Sequence, residues 1–208
     1  MFVISGWGIA PESVAPLFPA GTRVLAPTRE NIASLAGAQR VVGYSLGAFL
    51  LLEAAARGEF SCADVSLFAP FLAFPREAGA GGKIAATQVK FLRRWAGKNP
   101  AAALADFYVR AGLSFPPPTA SDALPYRAED LDAGLEILAT AKLDGVPANA
   151  RSWKIFLGEN DALLDAQAVA ATFPENPVRI VPAGTHDLQT LILTDSFFRV
   201  PAKKKLRS

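Results

Sequence analysis

Two residue types that stabilise proteins through covalent or metal bonds are nearly missing from this chain of 208 residues, which has one cysteine, Cys62, and one histidine, His186. A single cysteine excludes an internal disulfide and is typical of a reducing compartment. One cysteine and one histidine are also too few for a zinc site built from these ligands. We therefore expect neither a metal nor a cofactor.

The chain also lacks an excess of one charge and a long apolar run. Its 21 basic and 19 acidic residues leave a net charge of +2, and nucleic-acid-binding proteins carry a clustered basic excess instead. The most apolar stretch, 46–56, is shorter than the roughly 20 residues that a membrane span needs, and the first residues lack the basic start of a signal peptide. We expect a monomeric, cytoplasmic protein that binds neither nucleic acid nor membranes.

The composition of the chain and its alternation of strand and helix patterns are typical of an α/β protein. Hydrophobic residues make up 51% of the chain and charged residues 19%, which excludes a disordered protein. Short apolar runs alternate with helical patterns, an order that predicts a mostly parallel sheet with helices on both faces. Six strands are predicted at 2–4, 23–25, 40–43, 65–68, 153–157 and 178–181, with helices at 11–18, 29–37 and 46–57.

This alternation stops between residues 75 and 149, where the pattern is helical throughout. Helices are predicted at 83–97, 101–111 and 128–141, and the prolines at 116–118 separate the last two because proline interrupts a helix. We interpret 75–149 as a helical insertion over one end of the sheet, within a core made of 1–74 and 150–208. The basic tail at 201–208 is expected to be a frayed, solvated end.

The strongest motif is a G-x-S-x-G sequence at residues 43–47, between a predicted strand and a predicted helix. A nucleophile elbow requires this order of strand, sharp turn and helix, and it presents the central serine, here Ser45. Small flanking residues are needed because any side chain there would collide with its neighbours in the tight turn. The alternative is an ordinary turn in which Ser45 caps the following helix.

A serine hydroxyl becomes a good nucleophile when a histidine, itself held by a carboxylate, takes its proton. His186 follows the last predicted strand, so it lies at the same edge of a parallel sheet as Ser45. Asp161 also follows a predicted strand and comes between Ser45 and His186, as the α/β-hydrolase order of the three residues requires. The competing acids are Glu159, Asp187 and Asp165, the last of which is better placed to cap the next helix.

Ester hydrolysis also needs two backbone N–H groups directed at the developing oxyanion. The residue after the nucleophile, Leu46, would supply one of them. Trp7, in the glycine-flanked loop after the first strand, would supply the other, because glycine lets the backbone approach a substrate closely. The alternative for this loop is a plain turn with a packed indole.

Together these residues resemble the α/β-hydrolase superfamily. More narrowly, the chain is similar to the pimeloyl-acyl-carrier-protein methyl ester esterases of biotin synthesis, through the segments 6–12, 43–47, 131–138, 158–161 and 184–186. The resemblance implies that Ser45 is the nucleophile, His186 the general base and Asp161 its partner. It also implies that Trp7 and Leu46 are the oxyanion donors and that 75–149 forms a lid.

The chain departs from that family in three places. Ser5 stands where the family usually carries histidine, and residues 25–40 are too short for the usual Asp-x-Pro-Gly-x-Gly-x-Ser loop. The sequence also begins at the strand that leads to the oxyanion loop, without the two antiparallel strands that commonly open the fold. We therefore predict a reduced α/β-hydrolase fold of about six strands.

The predicted activity is hydrolysis of a carboxylic ester of an apolar acyl chain, and the resemblance implies pimeloyl-acyl-carrier-protein methyl ester as the substrate. Alternatives are an acyl thioesterase and a non-catalytic binding protein that keeps the hydrolase fold. The acyl site would be lined by Trp7, Phe91, Phe107 and Phe115.

Basic residues in the insertion recur at spacings of seven, four and four, which predicts one shared helix face. Such a face would steer an acidic carrier protein to the site, although an ordinary solvated face has the same pattern. These residues are Lys83, Lys90, Arg94 and Lys98.

Overall fold

The computed structural model describes residues 1–117 and 124–192. Its centre is one sheet of six strands in the order β2-β1-β3-β4-β5-β6, and every neighbouring pair is parallel. The strands are β1 (Phe2–Ile4), β2 (Arg23–Leu25), β3 (Arg40–Tyr44), β4 (Asp64–Phe68), β5 (Lys154–Gly158) and β6 (Val178–Val181). All six predicted strands are therefore confirmed, with bounds that differ by one residue at most.

The central strands are apolar because the sheet buries both of their faces. In β3, Val41 and Val42 point to opposite faces and both are inaccessible to solvent, and the same holds for Leu67 and Phe68 in β4. The sequence of a strand that is buried on both faces is a continuous apolar run, without the alternation of apolar and polar residues that a half-exposed strand shows. That is why short apolar runs in the sequence were sufficient to predict these strands.

The described residues contain the six predicted helices, several of them shorter than predicted, and two further helices for which the sequence predicted no bounds. They are α1 (Pro11–Val14), α2 (Arg29–Ala33), α3 (Leu46–Ala56), α4 (Ala86–Ala96), α5 (Pro100–Ala111), α6 (Ala128–Thr140), α7 (Ala166–Ala171) and α8 (Leu188–Ile192). In place of the predicted helix at 11–18 the structure has the short helix α1, followed by a turn of 3₁₀-helix at Ala15–Leu17. This turn contains Pro16, which interrupts the α-helix. The predicted helix at 29–37 ends at Ala33, before Gly37 with its φ of +75°.

The most apolar stretch of the sequence forms α3, which begins directly after Ser45. Nine of its residues are buried, so it is apolar over most of its surface because it lies inside the core. No helix in the described part of the chain is long and apolar enough to cross a membrane.

The helical insertion enters the chain between β4 and β5 and consists of α4, α5 and α6, together with the connecting loops. α4 packs against both α5 and α6. The insertion meets the loop after β1, where the indole of Trp7 donates a hydrogen bond to the carbonyl of Leu131 in α6, at 2.9 Å. The predicted helical character is confirmed here, while the core and insertion boundaries stay a prediction. Pro118 and the tail at 201–208 lie outside the described residues.

Candidate active site

The turn between β3 and α3 holds Ser45 in a conformation that non-glycine residues seldom adopt, with φ of 51° and ψ of −115°. The Ser45 side chain makes no capping bond to the helix. The helix-cap alternative is therefore wrong. The elbow is fixed through the backbone instead, because the Ser45 N–H donates to the carbonyl of Phe68 at 2.9 Å.

The two glycines of the motif are required by close packing, as the sequence predicted. A Cβ at Gly47 would lie 2.5 Å from the carbonyl oxygen of Ile4, so only glycine lets α3 approach β1 this closely. A Cβ at Gly43 would lie 2.8 Å from the Cα of Ala48. The turn can therefore be sharp only with glycine at both positions.

Ser45, His186 and Asp161 form one hydrogen-bonded series at the carboxyl edge of the sheet. Ser45 Oγ lies 3.0 Å from His186 Nε2, and His186 Nδ1 lies 2.7 Å from Asp161 Oδ2. These side chains follow β3, β6 and β5 respectively, and all three are at least nine-tenths buried. The structure thus brings together the three residues that the sequence singled out.

Asp161 divides its two carboxylate oxygens between the histidine and its own loop. While Oδ2 faces the imidazole, Oδ1 accepts hydrogen bonds from the backbone N–H groups of Leu163 and Leu164, at 2.7 and 3.0 Å. Both oxygens are satisfied inside the protein, as a buried carboxylate requires. The orientation of the carboxylate is therefore set by the backbone after β5 and not by the histidine alone.

The loops after β5 and β6 interlock, which fixes Asp161 beside His186. The N–H of Asn160 donates to the carbonyl of Gly184 at 2.7 Å. Gly158 has no room for a side chain, since a Cβ there would lie 2.4 Å from the carbonyl oxygen of Thr185. Behind the imidazole, the Tyr44 hydroxyl donates to the carbonyl of His186 at 2.8 Å.

Each competing acid has other partners. Asp165 caps α7 by accepting from Gln167 and Ala168, as the sequence predicted. Glu159 accepts from the N–H of Ala183 at 3.0 Å. Asp187 accepts from the backbone of Gln189 and Ser114, at 3.0 and 2.9 Å. Among these carboxylates, Asp161 is the one in contact with the imidazole.

The predicted oxyanion donors flank the elbow. Leu46 is the first residue of α3, and Trp7 lies in the loop after β1. Among residues 1–117 and 124–192, the backbone hydrogen bonds formed outside the helices and strands include none from the N–H of Trp7 or of Leu46. The loop is closed by Ser5, whose fully buried hydroxyl donates to the carbonyl of Ile9 at 3.2 Å. The residue that departs from the family pattern therefore has a structural role inside the loop.

Comparison with known proteins gives structural matches at low sequence identity. An esterase from Exiguobacterium antarcticum superposes with a TM-score of 0.65 and 14% identity, over 89% of this chain and 85% of that one. A carboxylesterase structure from Nitrososphaera gargenis superposes with a TM-score of 0.60 and 14% identity, over 89% of this chain and 82% of that one. A thermophilic esterase from Thermogutta terrifontis superposes with a TM-score of 0.60 and 12% identity, over 89% of this chain and 81% of that one. The chain has the α/β-hydrolase fold. No protein-family model and no curated protein matches it.

In this α/β-hydrolase fold a cavity of about 300 Å³ lies between Trp7 and the helical insertion, and its wall includes none of Ser45, Asp161 and His186. Phe107 lines it and packs edge-on against the Trp7 indole, with ring centroids 4.9 Å apart. Phe91 also lines it and is 65% exposed. Phe115 was predicted to line the acyl site, but it is buried in the core and is not part of the cavity wall.

The predicted basic face does not form as one stripe, because α4 is shorter than expected. The backbone of residues 82–84 is extended and pairs with neighbouring segments, so the helix begins at Ala86 and Lys83 precedes it. The ammonium group of Lys83 donates to the backbone carbonyl of Asp161 at 2.6 Å. Lys98 lies beyond the last helical residue, Ala96. Of the four predicted residues, Lys90 and Arg94 are the two that lie within α4, where their spacing places them on one face.

The tyrosines predict how the protein responds to alkaline pH. The chain has three, and burial raises the pKa of each of them, to about 12 for Tyr108 from the ordinary value of 10.0. Between these two values the unfolded chain releases the Tyr108 proton while the folded protein keeps it. We therefore expect the free energy of unfolding to be insensitive to this group below pH 10.0 and to fall as the pH rises towards 12.

Chemical denaturation at a series of alkaline pH values, followed together with tyrosinate absorbance, measures this effect. Tyr108→Phe should make the loss of stability shallower. A tyrosinate signal that develops near the ordinary pKa of 10.0 in protein that is still folded would contradict the expectation.

Proposed function

We propose that this protein is a serine hydrolase that cleaves a carboxylic ester of an apolar acyl group. Ser45 is the nucleophile, His186 the general base and Asp161 the carboxylate that orients it. The observation that carries the proposal is the hydrogen-bonded series from Ser45 Oγ through the imidazole to Asp161 Oδ2, at 3.0 and 2.7 Å.

The reaction follows from the roles of the two imidazole nitrogens. With its Nδ1–H donated to Asp161, His186 keeps a lone pair on Nε2, which takes the proton as Ser45 Oγ attacks the ester carbonyl. The carbonyl oxygen then carries negative charge, which the N–H groups of Trp7 and Leu46 stabilise. The proton passes from Nε2 to the departing alcohol. Water, activated by the same nitrogen, then releases the acid and restores the Ser45 hydroxyl.

The cavity supports an apolar acyl group as the bound part of the substrate. Its wall is built mainly from aromatic and aliphatic side chains, with Trp7 shared between the cavity and the oxyanion loop. Its two charged lining residues, Asp106 and Arg110, pair with each other at 2.6 Å. An acyl chain in this cavity would bury apolar surface, which favours binding by about 0.8 kcal/mol for each CH₂ group.

Within this class, we propose the methyl ester of a pimeloyl group on an acyl carrier protein as the substrate, with the carrier protein as partner. The support for this narrower proposal is the set of sequence segments that resemble those esterases. Lys90 and Arg94 on α4 would attract the acidic carrier, whereas Lys83 already contacts the Asp161 carbonyl. Comparing hydrolysis of the carrier-bound methyl ester with hydrolysis of the carrier thioester distinguishes this substrate from the thioesterase alternative.

The alternative to an enzyme is a binding protein that has the hydrolase fold but catalyses no reaction. Labelling with a fluorophosphonate probe separates the two, because the probe reacts with an activated serine and not with an ordinary hydroxyl. We expect wild-type protein to be labelled at Ser45 and the Ser45→Ala variant to remain unlabelled. Wild-type protein that stays unlabelled, and hydrolyses no ester of a panel of short acyl chains, would support the binding protein.

A further inference from the structure

The helical insertion holds the loop after β1 at three points around Trp7 and Gly8. The Trp7 indole donates to the carbonyl of Leu131 at 2.9 Å. The hydroxyl of Tyr108, in α5, donates to the carbonyl of Gly8 at 2.8 Å. The N–H of Gly8 donates to the hydroxyl oxygen of Tyr126, in the segment before α6. Both backbone polar groups of Gly8 are therefore bound by tyrosines of the insertion.

Gly8 is a position where the backbone needs this support. Its φ is +72°, in the region that favours glycine, and a Cβ there would lie 2.5 Å from Cδ2 of Leu104. The positive φ favours glycine at this site, yet glycine is the residue with the greatest backbone freedom to lose on folding. Two hydrogen bonds from fixed side chains limit that freedom on both sides of the residue.

The two phenols are suited to opposite roles. Tyr108 acts as a donor, which requires its hydroxyl to be protonated, and Tyr126 acts as an acceptor through its hydroxyl oxygen. Burial raises the pKa of Tyr108 to about 12, and it raises the pKa of Tyr126 further still. Both hydroxyls therefore stay protonated at any pH at which a histidine base operates.

We propose that Tyr108 and Tyr126 are positioning residues that hold the Trp7 N–H in the direction of the oxyanion, an inference that rests on the proposed function. An oxyanion donor is effective when it is fixed before the charge develops, because no energy is then spent on reorientation during the reaction. Trp7 is held through its indole and through the peptide bond that follows it, while its own N–H has no backbone carbonyl as partner among residues 1–117 and 124–192. The insertion thus contributes to the catalytic site through the loop that it holds.

Steady-state kinetics of Tyr126→Phe and Tyr108→Phe test this role, since each change removes one hydroxyl and keeps the ring. We expect kcat for a p-nitrophenyl ester to fall by about tenfold in each variant, with little change in KM, because a looser donor weakens transition-state binding alone. Affinity for a boronic acid that forms a tetrahedral adduct with Ser45 should fall with kcat. The pH dependence should keep its acid limb, since the histidine and its carboxylate are untouched.

Val109→Ala is the matched control, because Val109 follows Tyr108 on α5 and is 80% exposed. It should leave kcat and boronic acid affinity unchanged. Wild-type kcat in both tyrosine variants would overturn the proposal. So would a loss of kcat without a loss of boronic acid affinity, because that outcome indicates damage outside the oxyanion loop.

Hydrogen exchange of the Gly8 amide provides a readout that needs no turnover. Tyr126→Phe removes the acceptor of this N–H, so its exchange should become at least about tenfold faster, which corresponds to about 1.4 kcal/mol, while Val109→Ala leaves it unchanged. Unaltered exchange in Tyr126→Phe would overturn the proposal even in an active enzyme. Faster exchange in a protein without esterase activity would confirm that the loop is held by Tyr126 and would locate the failure in the proposed function.

Discussion

Replacing Ser45 by alanine is expected to lower kcat for a short-chain p-nitrophenyl ester by about 10⁴-fold or more, with the fold intact. The change removes the atom that forms the acyl-enzyme, so the remaining rate would come from substrate binding and oxyanion stabilisation alone. The fold should tolerate it because the Ser45 hydroxyl caps no helix and its hydrogen-bond partner is the imidazole of His186. Alanine carries a similar positive φ at two other positions, 48° at Ala69 and 56° at Ala183.

Ser34→Ala is the matched control for this experiment. Ser34 is an exposed serine after α2, and its hydroxyl donates to the carbonyl of Asn31 at 2.7 Å. It should leave kcat unchanged, and thermal unfolding of both variants should match the wild type closely. Ester turnover that survives the loss of the Ser45 hydroxyl at the wild-type rate would end the serine hydrolase proposal, although the fold would stand.

The sheet and the three central residues could be predicted because each leaves a local signal. Strands buried on both faces read as apolar runs, as Val41 and Val42 do in β3. A parallel sheet places the carboxyl ends of its strands along one edge, so residues that follow different strands meet there. With one histidine in the chain, the choice of base was forced, and Asp161 followed from chain order.

The contacts between the insertion and the loop after β1 leave no such signal. Trp7 and Leu131 are 124 positions apart, and Gly8 and Tyr126 are 118 apart. Contacts at this separation depend on how whole helices pack. No periodicity in the sequence encodes that packing. Gly134 does reflect this packing in the sequence, because a Cβ on this helical glycine would lie 2.6 Å from the Trp7 ring. Glycine lowers the stability of a helix, so a glycine inside a predicted helix indicates that another part of the chain packs closely against it.

The start of α4 was predicted wrongly for a similar reason. The apolar and basic residues from 83 onward have helical spacing, but residues 82–84 pair with Pro75 and Leu164 as extended backbone. Leu164 belongs to a distant part of the chain, and the backbone hydrogen bonds formed with its segment and with the nearer segment at Pro75 outweigh the local preference for helix. Lys83 consequently lies beside Asp161 and not on a basic helix face.

Asp161→Asn is expected to lower kcat by about 10⁴-fold while the protein remains folded. An asparagine that presents its NH₂ group to His186 Nδ1 would make that nitrogen an acceptor and leave the proton on Nε2. Nε2 could then no longer take the proton of Ser45. The amide oxygen would still accept from Leu163 and Leu164, as Oδ1 of the carboxylate does at 2.7 and 3.0 Å, so the loop should keep its shape.

Asp165→Asn serves as the control, because Asp165 is a carboxylate four positions away that caps α7 and touches no catalytic group. Asparagine caps helices as well as aspartate does, so both kcat and stability should stay at wild-type values. The competing acids are then tested by Glu159→Gln and Asp187→Asn. If either abolished turnover while Asp161→Asn did not, the orienting role would pass to that residue. The short contact between Asp161 and the imidazole would then be structural alone.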